Sequence, residues 1–245
     1  GVEGTNSLVF EISDVQHVNL STRLSYLLGY PHGCVEQITS KVFPQLYLSG
    51  FASLTREQEQ STEATVKEVI CRLRSYQTVD GSFSYWPGGT APNAWGTVYA
   101  IHFLLEAEKK GYLVPEGMKR NALNDLSRIA RNWKPEASYS AESEEMTQAY
   151  RLFVLALGQV AEVGAMNRLK ESKTLMSMSR YLLAAGYALI GRPDVSKELV
   201  VKTTALTTAC SGYDQTFGSD LRDTSIRLMT LCLLDGGKEA ALLAN

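Results

Sequence analysis

Apolar residues recur along this chain at helical spacing, and short polar turns separate the stripes. Val66, Val69, Ile70, Leu73 and Tyr76 fall three or four positions apart, the pattern of a single buried helix face. Comparable patterns predict helices over Leu20–Leu28, Val35–Leu48, Asn93–Lys110, Pro115–Asn132, Glu144–Val163, Leu175–Ile190, Val195–Thr208 and Leu221–Leu234. Pro44 must kink or restart the second of these, because its ring removes a donor and crowds the preceding turn. One β-rich run, Leu8–Ile12, reads as a short strand entering from a neighbouring domain. Residues 1–18 are therefore an entering segment and 19–245 a helical domain. The stripe that includes Val66 stops at Asp80-Gly81, and Ser82–Gly89, SFSYWPGG, follows as an aromatic loop.

The helices are of two kinds. Segments opening at Thr97 (TVYAIHFLLEA), Thr147 (TQAYRLFVLAL), Ser177 (SMSRYLLAAGYAL) and Thr224 (TSIRLMTLCLL) resemble one another and are apolar around much of their circumference. That is the pattern of helices buried on most sides. Pro115–Asn132 and Val195–Thr208 are more polar and one-sided. The alternation predicts an all-α fold of two concentric helix layers, the inner wall and outer ring of an α/α toroid. Two loops rich in glycine, aspartate and aromatics, Asp80–Trp86 and Gly212–Asp220, precede inner-helix candidates and fit that arrangement.

Composition narrows the picture. The 245 residues are 44% hydrophobic and 9% aromatic, enough for a sizeable core in one domain. Twenty-four basic against 26 acidic residues leave a net charge of −2, and no basic run carries interleaved aromatics, so nucleic acid is not an expected partner. No apolar stretch approaches the roughly 20 residues of a membrane span. The opening GVEGTNS has no signal-peptide pattern and looks like a boundary within a longer protein. Cys71, Cys210 and Cys232 lie in or beside helical apolar patterns without metal-ligand spacing and read as core residues, though a bridge between two of them is open in an oxidising compartment.

The chemistry concentrates in residues 30–37, YPHGCVEQ. Side chains at i and i+3 of a helical turn lie about 5–6 Å apart at Cβ, so the Cys34 sulfur can approach the Gln37 Cδ. Expulsion of ammonia would close an internal thioester in a ring of about fifteen atoms. Pro31 and Gly33 place Cys34 near a helix N-terminus, where exposed N–H groups and the dipole favour negative charge on sulfur. Each residue also has an ordinary explanation. A cysteine is most often an inert buried hydrophobe, and an acidic residue such as Glu36 is favoured in any first helical turn.

The octapeptide as a whole resembles the thioester motif of the α2-macroglobulin and complement family, and Val35 after the cysteine is similar to its bacterial branch. The resemblance covers nearly the full length. It implies that Cys34 and Gln37 are thioester partners, that Gly33 and Glu36 complete the motif, and that an aromatic shield keeps water from the stored acyl group. Tyr30 is the foremost shield candidate, with Tyr26, Tyr85 and Trp86 behind it. In the family, a histidine in the second half of the domain directs transfer to hydroxyls. The corresponding stretch, Trp133–Met146, contains none, which implies transfer to amines. The implied role is a protease inhibitor: cleavage of a bait region elsewhere in the parent exposes the bond, and a lysine amine of the target protease attacks Gln37 and is trapped covalently. It is a single-use trap rather than an enzyme, in need of no cofactor or metal. Its implied partners are target proteases and other domains of the same parent, and its implied address is the periplasm or cell envelope, often as a lipoprotein.

Two other classes make their own demands. An α/α-toroid enzyme of the terpenoid cyclase or prenyltransferase type would need an aspartate-rich motif or converging Asp, Cys and His zinc ligands. Asp220 and Asp223 in SDLRD read instead as a helix start, one of them capping, and His17, His32 and His102 are far apart. His32 is close to Cys34 in sequence and reads mainly as a loop residue. A nonreactive binding module that keeps the motif as a relic is the remaining alternative.

Overall fold

In the computed structural model, described for residues 28, 33–135, 141–173, 175–201, 216 and 218–234, the chain is helical, and the extended pairing among these residues is two isolated bridges, Gln77 to Phe83 and Ser84 to Pro92. The strand expected at Leu8–Ile12, the helix at Leu20–Leu28 but for Leu28, the boundary at 18/19, His17, Tyr26, Tyr30, His32, Cys210 and most of the Gly212–Asp220 loop lie outside the described residues.

Helix α1, Val35–Val42, starts at Cys34 and gives way to a 3-10 turn, Phe43–Leu46, at Pro44. A short α2, Leu48–Phe51, follows. Helix α3, Arg56–Leu73, is capped by Thr55, whose hydroxyl accepts from Gln58 N–H at 3.2 Å while Gln58 Oε1 accepts from Thr55 N–H at 2.8 Å. Asn93 caps α4, Ala94–Lys109, accepting from Gly96 N–H at 2.7 Å. Then come α5, Glu116–Asn132; α6, Ala141–Leu157; α7, Val163–Lys170; α8, Ser177–Leu189; α9, Pro193–Val201; and α10, Asp220–Leu233.

Two expectations change here. Glu144–Val163 is not one helix: α6 ends at Leu157, Gly158 N–H bonds Val154 O at 2.9 Å, Gln159 takes a left-handed φ of 61°, and Val163 opens a new helix. The cap of α10 is Ser219, accepting from Arg222 N–H at 3.1 Å, not Asp220 or Asp223. Asp223 is held sideways by the Arg222 guanidinium at 2.7 Å.

Packing sorts the helices into two rows. α1, α4, α6, α8 and α10 contact one another in sequence, and α3, α5, α7 and α9 lie against them from outside. Burial is most complete in α6, where every residue from Glu145 to Ala156 is buried, whereas α5 buries a single face and α10, read from its sequence as buried on most sides, buries only Asp223, Thr230 and Leu231. All five inner helices border one cavity of about 380 Å³, lined by Glu36 and Ser40 of α1, Trp95, Tyr99 and His102 of α4, Tyr150 of α6, Leu182 of α8 and Met229 of α10 among others. The concentric layering expected from the alternation of patterns is the arrangement found. Glycine lets α1 and α4 approach each other: a Cβ at Gly96 would fall 2.5 Å from Val35 Cγ1, so only a hydrogen fits there.

Cys71 and Cys232 are exposed free thiols, contrary to the expectation that they are core residues. On α3 the buried stripe runs through Val66, Val69, Ile70 and Leu73, and Cys71 falls on the flank.

Candidate functional site

Cys34 is the N-cap of α1 and Gln37 its third residue, the same two positions that Thr55 and Gln58 occupy in α3. In this capping box each side chain folds back toward the other's backbone. The Cys34 side chain sits over the Gln37 backbone N–H, and Gln37 Oε1 accepts from Cys34 N–H at 3.1 Å. The helix start therefore brings the thiol and the amide carbonyl together, as the i, i+3 spacing anticipates. Cys34 is fully buried, while Gln37 is exposed and reachable by an incoming nucleophile.

Gly33 is required by this fold-back. Its φ is +123°, a region that L side chains rarely enter, and a Cβ there would fall 2.0 Å from Gln37 Oε1 and 2.9 Å from Cδ. Glu36 points the other way, toward the central cavity, where it accepts from Ser40 Oγ at 2.6 Å. Both motif-support residues thus have a place: Gly33 makes room for Gln37, and Glu36 lines the cavity from α1.

The aromatic loop closes over the other side. Val35 N–H donates to Tyr85 O at 3.0 Å, and the nearby Cys34 side chain holds the Tyr85 phenol above its usual range. Trp86 packs edge-on against Tyr85 with ring centroids 5.4 Å apart, and both rings are partly open to solvent. Tyr76 bonds Gly33 O through its hydroxyl at 2.8 Å. Gly33 and Val35, on either side of Cys34, are thus both held by the segment from Tyr76 to Tyr85.

That segment is itself tied down. Ser84 Oγ donates to Tyr76 O and Trp86 O at 2.9 and 2.6 Å. Thr97 Oγ1 accepts from Phe83 N–H at 2.8 Å, and Asn93 N–H reaches Phe83 O at 2.8 Å. Ser82 Oγ donates to Asp125 Oδ2 of α5 at 2.5 Å, and Arg128 pairs with the same carboxylate. Gln77 Nε2 spans Gly81 O and Met118 O at 3.0 and 2.9 Å.

Of the shield candidates, Tyr85 is brought beside the motif by its carbonyl bond to Val35, Trp86 packs against it, and Tyr26 and Tyr30 lie outside the described residues. Tyr76 is the functional neighbour that the sequence reading missed. It was visible only as the last member of an apolar stripe, and periodicity carries no information about where its hydroxyl points. His102 lines the central cavity, its Nδ1 2.8 Å from Tyr150 Oη and its ring against Phe43 and Phe153. Burial pushes its pKa down to about 4, so it is a neutral imidazole in a wall of rings. Among the described residues no group of three or more His, Cys, Asp and Glu side chains is placed to hold a metal ion.

Comparison with known proteins identifies relatives of the chain. The chain is 28% identical over 226 residues to the α2-macroglobulin of Escherichia coli K12, covering 87% of this chain and 14% of that protein. It is 26% identical to the α2-macroglobulin of Xylella fastidiosa Temecula1 over 231 residues, 89% of this chain and again 14% of the relative. The chain thus spans about one seventh of the length of these relatives. Among solved structures it resembles native E. coli α2-macroglobulin from domain MG7 to the C-terminus, with a TM-score of 0.78 and 26% identity, covering 95% of this chain and 38% of that one. It also resembles Salmonella α2-macroglobulin reacted with methylamine, with a TM-score of 0.74 and 27% identity over 92% of this chain and 16% of that one. The family model of the A-macroglobulin TED domain matches residues 7–149, more than half of the sequence, and the chain belongs to that family.

Proposed function

We propose that Cys34 and Gln37 close an internal thioester and that this chain is the reactive domain of a protease-trapping protein. The observation that carries the reading is the Gln37 amide folded onto the N-cap cysteine, with Oε1 3.1 Å from Cys34 N, in a chain of the A-macroglobulin TED family. Attack of the sulfur on Cδ and loss of ammonia store the acyl group. An amine then attacks the same carbon, the carbon–sulfur bond breaks, and the thiol is released. Exposure of Gln37 beside a covered Cys34 suits approach of the amine from the Gln37 side.

In the parent protein, cleavage of a bait region by a protease uncovers the bond, and a lysine of that protease becomes the acyl acceptor. Transfer goes directly to amines, because Trp133–Met146 supplies no histidine to relay the acyl group to hydroxyls. Each molecule reacts once. Other domains of the parent complete the shield, and the parent resides in the periplasm or cell envelope as a lipoprotein. The Salmonella relative solved after reaction with methylamine supports the choice of probe. Family membership takes away the ground for a terpenoid cyclase or prenyltransferase reading.

Intact-mass measurement of the parent protein tests the proposal. A thioester makes it lighter than its sequence by one ammonia, and methylamine adds to Gln37 while freeing the Cys34 thiol. A protein of full sequence mass that takes up no amine would show the motif to be a relic.

A further inference from the structure

The peptide unit joining Gly33 to Cys34 is hydrogen-bonded at both ends, and the two partners differ in kind. Its oxygen accepts from the Tyr76 hydroxyl at 2.8 Å, and its N–H donates to Gln37 Oε1 at 3.1 Å. Tyr76 is fully buried, in the turn after α3, and its own carbonyl is held by Ser84 N–H at 2.8 Å and by Ser84 Oγ at 2.9 Å, so its hydroxyl is aimed from a rigid base. Gly33, at φ +123°, is one of the few residues through which the chain can present this peptide in that orientation.

We infer that the Cys34 N–H is the oxyanion donor for the Gln37 acyl group, and that Tyr76 is the positioning residue that orients and polarises it. The inference rests on the thioester reading above. When the thiolate attacks Cδ, the carbonyl electron pair moves onto Oε1. The tetrahedral intermediate collapses as the nitrogen takes up a proton and leaves as ammonia. When an amine later attacks the same carbon, a second oxyanion forms on the same oxygen, the carbon–sulfur bond breaks, and the proton lost by the amine ends on sulfur. Both barriers thus develop charge where the Cys34 N–H already points. An N–H at that position also sorts the amide, because it can face only the oxygen, which leaves the nitrogen as the outward leaving group. A hydrogen bond to the oxygen of a peptide strengthens the donor at its other end. Tyr76 therefore acts through the peptide without touching the reacting carbon.

The test is Tyr76→Phe in the parent protein, with methylamine as the nucleophile and thiol release as the readout. Loss of alignment slows aminolysis by about tenfold to a hundredfold. A merely structural role predicts the opposite sign, because a loosened loop admits water and amine and speeds loss of the bond. A rate equal to or above that of the wild type overturns the inference. A vibrational readout adds a second criterion that does not depend on folding of the variant. With ¹³C at Gln37 Cδ, the wild-type acyl carbonyl band lies below that of a simple thioester in apolar solvent if the Cys34 N–H donates to it, and coincides with it if not. In the variant the band moves up. A wild-type protein without ammonia loss or amine uptake fails the thioester reading itself. A wild-type thioester with an unshifted band fails only this inference.

Discussion

Gly33 and Gln37 share a space that admits no Cβ: one built on Gly33 would fall 2.0 Å from Gln37 Oε1. Gly33→Ala therefore sets two penalties against each other's relief. Holding φ at +123° strains an alanine, and relaxing the backbone turns the Gly33–Cys34 peptide away from Gln37. The expected outcome is a loss of about 1–3 kcal/mol in stability, read by thermal unfolding. A chain of full sequence mass in the parent protein is expected with it, because the amide no longer reaches the sulfur. Wild-type ammonia loss in the variant would show that Gln37 has another route.

Gln37→Glu separates the cap from the chemistry. A carboxylate at the third helical position can still accept from Cys34 N–H and is favoured by the helix dipole, so stability is unchanged or rises by about 0.3–1 kcal/mol. No ammonia can leave, and no thioester forms. Methylamine uptake falls to background while the melting temperature is kept. Cys34→Ser gives the same loss of uptake with the capping oxygen restored. A variant that lost both stability and uptake would mean that the amide itself holds the helix start.

How far the sequence carried these points differs from residue to residue. The inner helices were readable because each left a dense apolar record, and the four segments singled out fall on α4, α6, α8 and α10, although α10 proves to be buried at only three positions. Pairing of Cys34 with Gln37 was readable because it is local, three residues along one turn. Contacts that span the chain were not. Tyr76 reaches Gly33 over 43 positions, and the bond from Val35 N–H to Tyr85 O spans 50. Helix α7 was hidden because Val160, Val163 and Met166 continue the apolar spacing of α6, while the break depends on a left-handed φ at Gln159 that spacing does not encode. Cys71 was misread because a cysteine one position off an apolar stripe has the same composition as one within it.

His102 makes stability depend on acid. Its pKa in the fold, about 4, lies below the ordinary 6.5, so the unfolded chain binds its proton first. This contribution is complete above pH 6.5 and is lost as pH falls from about 6.5 through 4. The full shift corresponds to at most about 3 kcal/mol. His102→Asn cannot titrate, and its melting temperature should fall less than that of the wild type across this window. Parallel curves for the two proteins would show that the imidazole stays neutral without cost or that other groups set the slope.

Tyr85 tests the shield directly. Tyr85→Phe keeps an aromatic ring in the loop beside Cys34 and removes only the hydroxyl, whereas Tyr85→Ala also removes the ring. Hydrolysis of the proposed thioester, followed as thiol release in water without amine, should accelerate in the alanine variant and stay near the wild-type rate in the phenylalanine variant. Tyr85 is 39% exposed, so neither change should cost more than about 1 kcal/mol of stability. Equal rates in all three proteins would remove Tyr85 from the shield.

Gly81 offers a test from outside the motif. Its φ is +108°, and a Cβ there would fall 2.3 Å from Asn121 O and 2.6 Å from Asn121 C, main-chain atoms of α5 that cannot swing aside. Gly81→Ala must push the turn off α5, loosening Ser82 from Asp125 and Gln77 from Met118 O. Strain at such a position costs about 1–3 kcal/mol, and a chain of this size loses roughly 2–4 °C of melting temperature per kcal/mol. The same segment ends in the bonds to Gly33 and Val35 that flank Cys34, so the damage should reach the site. Thiol release in water, measured well below the melting temperature, should be faster than in the wild type although no motif residue has changed. A destabilised variant that kept its thioester as long as the wild type would show that the loop clamps the helix start without guarding the bond.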